Sequence, residues 1–415
     1  MTTTKNNEDK KLNFLSEREQ SQACLNSAEH EKNQGRKVLN VPNLRFKEFQ
    51  GEWEEEQLAD IADLYKGTGI SKDQLSDDGE PCILYGELYT KYKSETIREV
   101  ISKTNINNTK LVRSKANDVI IPCSGETAED IATARCVLNG NILLGGDLNI
   151  IRLHGYDGAF MSYQLNGRRK YDIAKVAQGV SVVHLYGEHL KGVKTINPCL
   201  EEQKKIAKLL SLLDERIATQ NKIIEDLKKL KSAISKKLLR NDKWTTYKIQ
   251  DIAEIGRGRV ISSIEIERQR HPLYPVYSSQ TSNNGIMGYL DDYMFDGEYI
   301  TWTTDGANAG TVFYRKGKFN CTNVCGTLKI QPNFDCYFVS LVLQQATQKY
   351  VSSNLANPKL MNNTMASIKI RMPNIEVQKQ LSKVFLTLDN CLLVHQQTCK
   401  MYTSEKQYLL HQMFI

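Results

Sequence analysis

The sequence predicts an α+β protein built by tandem duplication. Two mixed α/β globular units are each followed by a long helix, and the helices pair antiparallel as a coiled coil about an approximate two-fold axis. Three observations carry this. The segment "PCLEEQKKIAKLLSLLDERI" (198–217) returns 175 residues later as "PNIEVQKQLSKVFLTLDNCL" (373–392). The segment "WEEEQLADIADLYKGTGI" (53–70) returns 191 residues later as "WTTYKIQDIAEIGRGRVI" (244–261). Each copy of the first segment also opens a run of apolar residues spaced alternately four and three apart, the signature of a helical seam.

In chain order, the duplication divides the protein as follows. Residues 1–39, "MTTTKNNEDKK…EKNQGRKVL", have no counterpart and are polar. They read as a disordered or loosely docked extension; a helix over "LSEREQSQACLNSAEHEKN" completing the central bundle is the alternative. They hold no apolar stretch of the kind a secretory leader needs. A first globular unit spans 40–195 and its helix 196–240; a second unit spans 241–370 and its helix 371–415. At 415 residues the chain is long for a single domain, so two units are the ordinary expectation.

Within the first repeat, Pro198, Glu201, Gln203, Lys204, Lys208, Leu213, Asp214 and Lys231 match Pro373, Glu376, Gln378, Lys379, Lys383, Leu388, Asp389 and Lys406. Within the second, Trp53, Asp60-Ile61-Ala62 and Gly67 match Trp244, Asp251-Ile252-Ala253 and Gly258. The seam of the first helix is Ile206, Leu210, Leu213, Ile217, Gln220, Ile224, Leu227, Lys231, Ile234 and Leu238. That of the second is Leu381, Phe385, Leu388, Leu392, His395, Cys399, Tyr402, Lys406, Leu409 and Met413. A helix of this length needs a partner for its stripe, and the other copy supplies one; packing each stripe on its own unit is the alternative. Antiparallel pairing would bring Gln220 and His395 together near mid-seam, as a polar layer that fixes register at some cost in stability.

The globular units read as short strands, "DVIIP" (118–122) and "NIIRL" (149–153) in the first, "EYITW" (298–302) and "GTLKI" (326–330) in the second. Between them lie loops rich in amides, hydroxyls, aromatics and basic residues: "LYGELYTKYKS", "IPCSGET", "VYSSQTSNNGIMGY" and "WTTDGANAG". These groups suit base edges and phosphates. The net charge of +7 is a modest basic excess. In residues 227–240, "LKKLKSAISKKLLR", six positive charges stand without a negative one, which fits a solvated face and an anionic partner equally. The longest apolar run, "CYFVSLVL" (336–343), is too short to span a bilayer. The ten cysteines are scattered; Cys321 and Cys325 lack a second pair at zinc spacing, so free thiols in a reducing compartment are expected and no metal is. The sequence has no phosphate-binding GxxxxGK[ST], no GxGxxG after a strand, no NPPY-type tetrapeptide and no catalytic triad signature.

In this order the motifs resemble those of the specificity (S) subunits of type I restriction–modification systems, over about residues 40–415. "NVPNLRFKEFQGEWEEEQLADIA" resembles the opening of a target-recognition domain. "YGELYTKY" with "DVIIPCSGET…GGDLNI" resembles one type of such domain, and "YPVYSSQTSNNGIMGYLDDYMFDGEYI" with "TTDGANAGTV" another. The two helical segments resemble the family's conserved regions. The resemblance implies a DNA-binding, non-catalytic cytoplasmic subunit that reads the two halves of a split site in double-stranded DNA. The helical pair would set the number of unread base pairs between the halves. Two methyltransferase (M) subunits, which carry S-adenosylmethionine, would dock on it, followed by two restriction (R) subunits, which use ATP and Mg; no cofactor is expected on this chain.

Candidate DNA-reading residues are Lys66, Gly69, Tyr85, Thr90, Lys91, Tyr92, Ser124 and Glu126 in the first unit. In the second they are Arg257, Arg259, Ser279, Gln280, Asn283, Asn284, Thr303, Asp305 and Asn308. Arginine suits guanine O6/N7, and asparagine or glutamine suits adenine N6/N7. Two other classes fit the bulk features: an enzyme whose catalytic residues carry no motif, and a coiled-coil scaffold that binds proteins only.

Overall fold

The computed structural model describes residues 39–106, 110–179, 182–239, 242–352 and 357–415. The extension assigned to residues 1–39 therefore lies, but for Leu39, outside the described residues. The chain forms two compact units, one of residues up to Arg216 together with Tyr402–Ile415, the other of Ile217–Met401.

In the first unit, β1 (Glu54–Gln57) pairs antiparallel with β6 (Lys194–Asn197), Glu54 facing Asn197. The main sheet places β2 (Ala62–Lys66) beside β5 (Leu148–Leu153), then β3 (Asp118–Pro122), β4 (Arg135–Val137) and the short strand Thr96–Ile97. β3 is buried throughout, which is why "DVIIP" is an unbroken apolar run rather than an alternating one. A second sheet of short strands has Glu80–Ile83 parallel to Leu143–Leu144. Helix α1 (Gly158–Asn166) starts at Asp157, whose side chain accepts from the Phe160 amide, and its first eight residues are buried.

The second unit repeats this plan with fewer strands. β7 (Thr245–Lys248) pairs antiparallel with β12 (Lys369–Met372). β8 (Ala253–Arg257), β11 (Cys325–Ile330), β9 (Glu298–Thr303) and β10 (Val312–Lys316) form the main sheet in that order. Tyr274–Tyr277 runs parallel to Asn320–Cys321, as Glu80–Ile83 does to Leu143–Leu144. The apolar run 336–343 is a core helix, α3 (Cys336–Ala346), capped by Asp335 through the Phe338 amide.

The long helices are α2 (Leu200–Leu238) and α4 (Ile375–Met413), 39 residues each, or about 58 Å at 1.5 Å per residue. In the second unit Gln220 Oε1 lies 2.7 Å from His395 Nδ1, and Lys231 pairs with Asp389. In the first unit Lys406 Nζ lies 2.6 Å from Asp214 and Arg216 sits 5.9 Å from the Tyr402 ring centre. As one helix's numbers rise the other's fall, so the helices run antiparallel. Every seam position is buried or half-buried except Leu238.

Residues shared by the two repeats do the same structural work in each, the glutamines and aspartates tying each long helix to the core helix α1 or α3. Gln203 accepts from the Asp157 amide at 2.9 Å and donates to the Pro198 carbonyl at 2.8 Å. Gln378 does the same for Asp335 (3.0 Å) and Pro373 (2.8 Å). Tyr163 OH donates to Asp214 at 2.7 Å, and Tyr337 OH to Asp389 at 2.5 Å. Trp53 packs edge-on to Phe160 and Trp244 edge-on to Phe338, each with ring centres 5.9 Å apart. Gly67 and Gly258 are both required by close backbone approach: a Cβ would stand 2.0 Å from the Gly145 carbonyl oxygen in one and 2.1 Å from that of Cys321 in the other.

Candidate nucleic-acid interface

Four of the first unit's candidates line one cleft of about 760 Å³: Tyr85, Thr90, Ser124 and Glu126. The strand after β3 and the short helix Glu87–Thr90 place them there. Tyr89, Lys93 and Arg135 share the wall. Tyr89 OH donates to the Ser124 carbonyl at 3.0 Å and Lys93 Nζ to the Tyr89 carbonyl at 2.7 Å. Thr90 Oγ1 is satisfied by the Gly86 carbonyl at 3.0 Å, and Ser124 Oγ lies 3.4 Å from His184 Nδ1. Tyr85 and Glu126 remain exposed.

The other four lie elsewhere. Lys66 ends β2, exposed, 4.0 Å from Asp147, and Gly69 follows in an open loop. Lys91 is held by Glu87 and Ser102, each at 2.6 Å. Tyr92 is a correction to the sequence reading. It is 7% exposed, and its hydroxyl accepts from the Ile101 amide, so the ring is core and not reading surface.

In the second unit most candidates meet on adjoining loops. Ser279, Gln280, Asn283 and Asn284 belong to one loop, closed by the Ser278 amide on the Gly285 carbonyl at 2.9 Å. Asn283 and Asn284 adopt left-handed backbone (φ 47° and 56°) and are exposed, a conformation asparagine tolerates. Gln280 turns inward, donating to the Ile286 carbonyl. Asn308 donates to the Ser279 carbonyl at 3.2 Å. On the same stretch as Asn308, Asp305 pairs with Arg257 at 3.2 Å and Lys359 at 3.6 Å.

Arg259 is engaged by Glu265, which it holds below the usual carboxylate range by a direct hydrogen bond. Thr303, in β9, is 1% exposed. It is the second correction: Ile300 to Thr303 are buried one after another, so both faces of β9 are covered at this end. The sequence reading missed Lys93, Arg135, His184, Lys359 and Arg315. Lys93 stands inside the quoted loop, but the others sit on strands or distant loops with no local pattern to single them out.

Cys321 and Cys325 are buried free thiols, and burial pushes Cys325 up to about 11. Among the described residues no group of three His, Cys, Asp or Glu side chains is placed to hold a metal. None of the described helices is long and apolar enough to cross a membrane.

This architecture defines a class: a tandem pair of α/β modules, each followed by one strand of an antiparallel helical pair. The chain belongs to the family of the type I restriction modification DNA specificity domain, whose model matches residues 50–229 and 241–400. It is 37% identical over 202 residues to S.MpnORF201P of Mycoplasma pneumoniae, provisionally named a type I specificity subunit, covering 46% of this chain and 81% of that one. It is 41% identical over 150 residues to the type I restriction enzyme MpnII specificity subunit of the same organism, covering 36% and 45%. Among solved structures, the type I restriction–modification S subunit from M. genitalium aligns over 90% of this chain and 99% of its own, with a TM-score of 0.70 at 19% identity.

Proposed function

We propose that this chain is the non-catalytic DNA-reading subunit of a type I restriction–modification complex, each unit reading one half of a split site in double-stranded DNA. The single observation that carries the reading is the repetition, in both sequence and topology, of a unit with its own loop surface and helix. Two copies of one reading device suit two half-sites, as protein and site symmetry match in other DNA readers. The cleft of Tyr85, Thr90, Ser124 and Glu126 serves one half and the loops of Ser279, Asn283, Asn284 and Asn308 the other. α2 and α4 set the gap between the halves.

Two methyltransferase subunits carrying S-adenosylmethionine, and two restriction subunits using ATP and Mg, supply the chemistry, and the complex works in the cytoplasm. Docking on the helices is supported by the solvent side of α4, where Leu393, Val394 and Met401 are more than half exposed; apolar residues gathered on a solvent face mark interaction sites. The test is to express the chain with its host's methyltransferase subunit in cells lacking DNA methylation and map N6-methyladenine by long-read sequencing. A two-part motif with a fixed gap is the expected result. Methylation of a motif without two parts, or no methylation together with failure to co-purify with the methyltransferase subunit, would overturn the reading.

A further inference from the structure

Arg315, in β10, is 4% exposed. Its guanidinium lies 3.5 Å from the Tyr277 ring centre and 4.4 Å from that of Phe313, and its Nε donates to Thr301 Oγ1 at 3.2 Å. Among the described residues it has no carboxylate partner; its polar neighbours are the Thr301 and Tyr277 hydroxyls. Arg45 and Arg152, by contrast, end on Glu202 and Asp118, each at 2.7 Å. Its far end lies against the second unit's reading loop: a Cβ on Gly285 would come within 3.1 Å of Nη2. Burial pushes this guanidinium below its ordinary value, yet arginine keeps its proton in proteins.

A buried charge is ordinarily paired. This one faces a loop whose outer side presents Asn283 and Asn284, and whose flank is held by Asn308. The missing counter-charge therefore belongs to whatever that loop receives. Resting on the function proposed above, we infer that Arg315 positions the loop 278–285 and supplies the positive charge for a DNA acceptor oxygen bound against it. A backbone phosphate and the guanine edge share that chemistry.

The test uses the complex with the methyltransferase subunit, comparing wild type with R315M, which keeps bulk without charge, and R315K, which keeps charge without the planar fork. Methylomes and binding of a cognate duplex at several salt concentrations are the readouts. R315M is expected to leave one half of the motif intact, degrade the other, and weaken binding about 10- to 100-fold, as loss of a good contact does. If the oxygen is a phosphate, the salt dependence falls by about one counterion, all sequences weaken alike, and R315K restores most of the binding. If it is guanine, one position of the half-site relaxes and R315K restores it poorly.

An R315M methylome and affinity equal to wild type overturn the inference. Should R315M not assemble, R315Q, whose amide can keep the bond to Thr301, replaces it with the same criteria. If neither neutral variant assembles while R315K does, Arg315 serves folding alone and the inference also fails. A wild-type complex with no two-part motif would instead remove the functional reading itself.

Discussion

Asp214 and Asp389 show what single residues do here. Each accepts from a tyrosine hydroxyl of its own unit and pairs with a lysine of the opposite long helix. The aspartates and lysines were legible as repeats because they keep one offset. The tyrosines were not: Tyr337 lies in the first turn of α3 and Tyr163 near the end of the second turn of α1, so the two reach equivalent aspartates from different turns. Y163F and Y337F should each cost about 1.5–3 kcal/mol, the usual worth of a hydrogen bond to a charged group, read as a lowered urea midpoint of the assembled complex. Glu95 adds a pH term. Its carboxyl is raised above the usual 4.5, chiefly by burial, which outweighs the attraction of a Lys406 shared with Asp214. A raised carboxyl contributes stability below its unfolded pKa and loses it as pH rises through the folded one. E95Q should therefore flatten the fall in melting temperature from pH 4.5 upward. An unchanged profile would refute this.

Among the elements, the long helices were the most legible. Their four-three spacing ran for over four heptads and the structure keeps those positions covered. Short strands were harder to place. "CYFVSLVL" has the composition of a buried strand, and only its Asp335 cap and its length of eleven residues make it a helix. The Gln220–His395 layer lies on the seam between apolar neighbours, where a polar pair sets register at the expense of stability. Replacing both (Q220L with H395L) should raise the melting temperature by about 2–4 °C per kcal/mol gained. The same change should broaden the species distribution by native mass spectrometry as register loosens. A lowered melting temperature would show that the pair is a net stabilising contact.

For the molecule as a whole, the duplication was readable because its shared residues perform shared structural tasks. The reading surfaces were only partly readable, since whether Tyr92 or Tyr85 faces solvent depends on tertiary packing that loop composition does not encode. If the surfaces act as proposed, Y85A with S124A should alter one half of the methylated motif and N283A with N284A the other, each by about 1–3 kcal/mol per affected base pair. Both pairs altering the same half would contradict the assignment.

The first unit also has an unusual order of completion. It includes Tyr402–Ile415, with Phe414 stacked on Phe160 at 5.1 Å, Arg169 donating to the Ile415 carbonyl at 3.2 Å, and Lys406 neutralising Asp214. Units generally fold in the order of their synthesis, yet this one, begun first on the ribosome, lacks these contacts until residue 415 has left the exit tunnel. The unit begun second, lying wholly within residues 217–401, has all its parts before then.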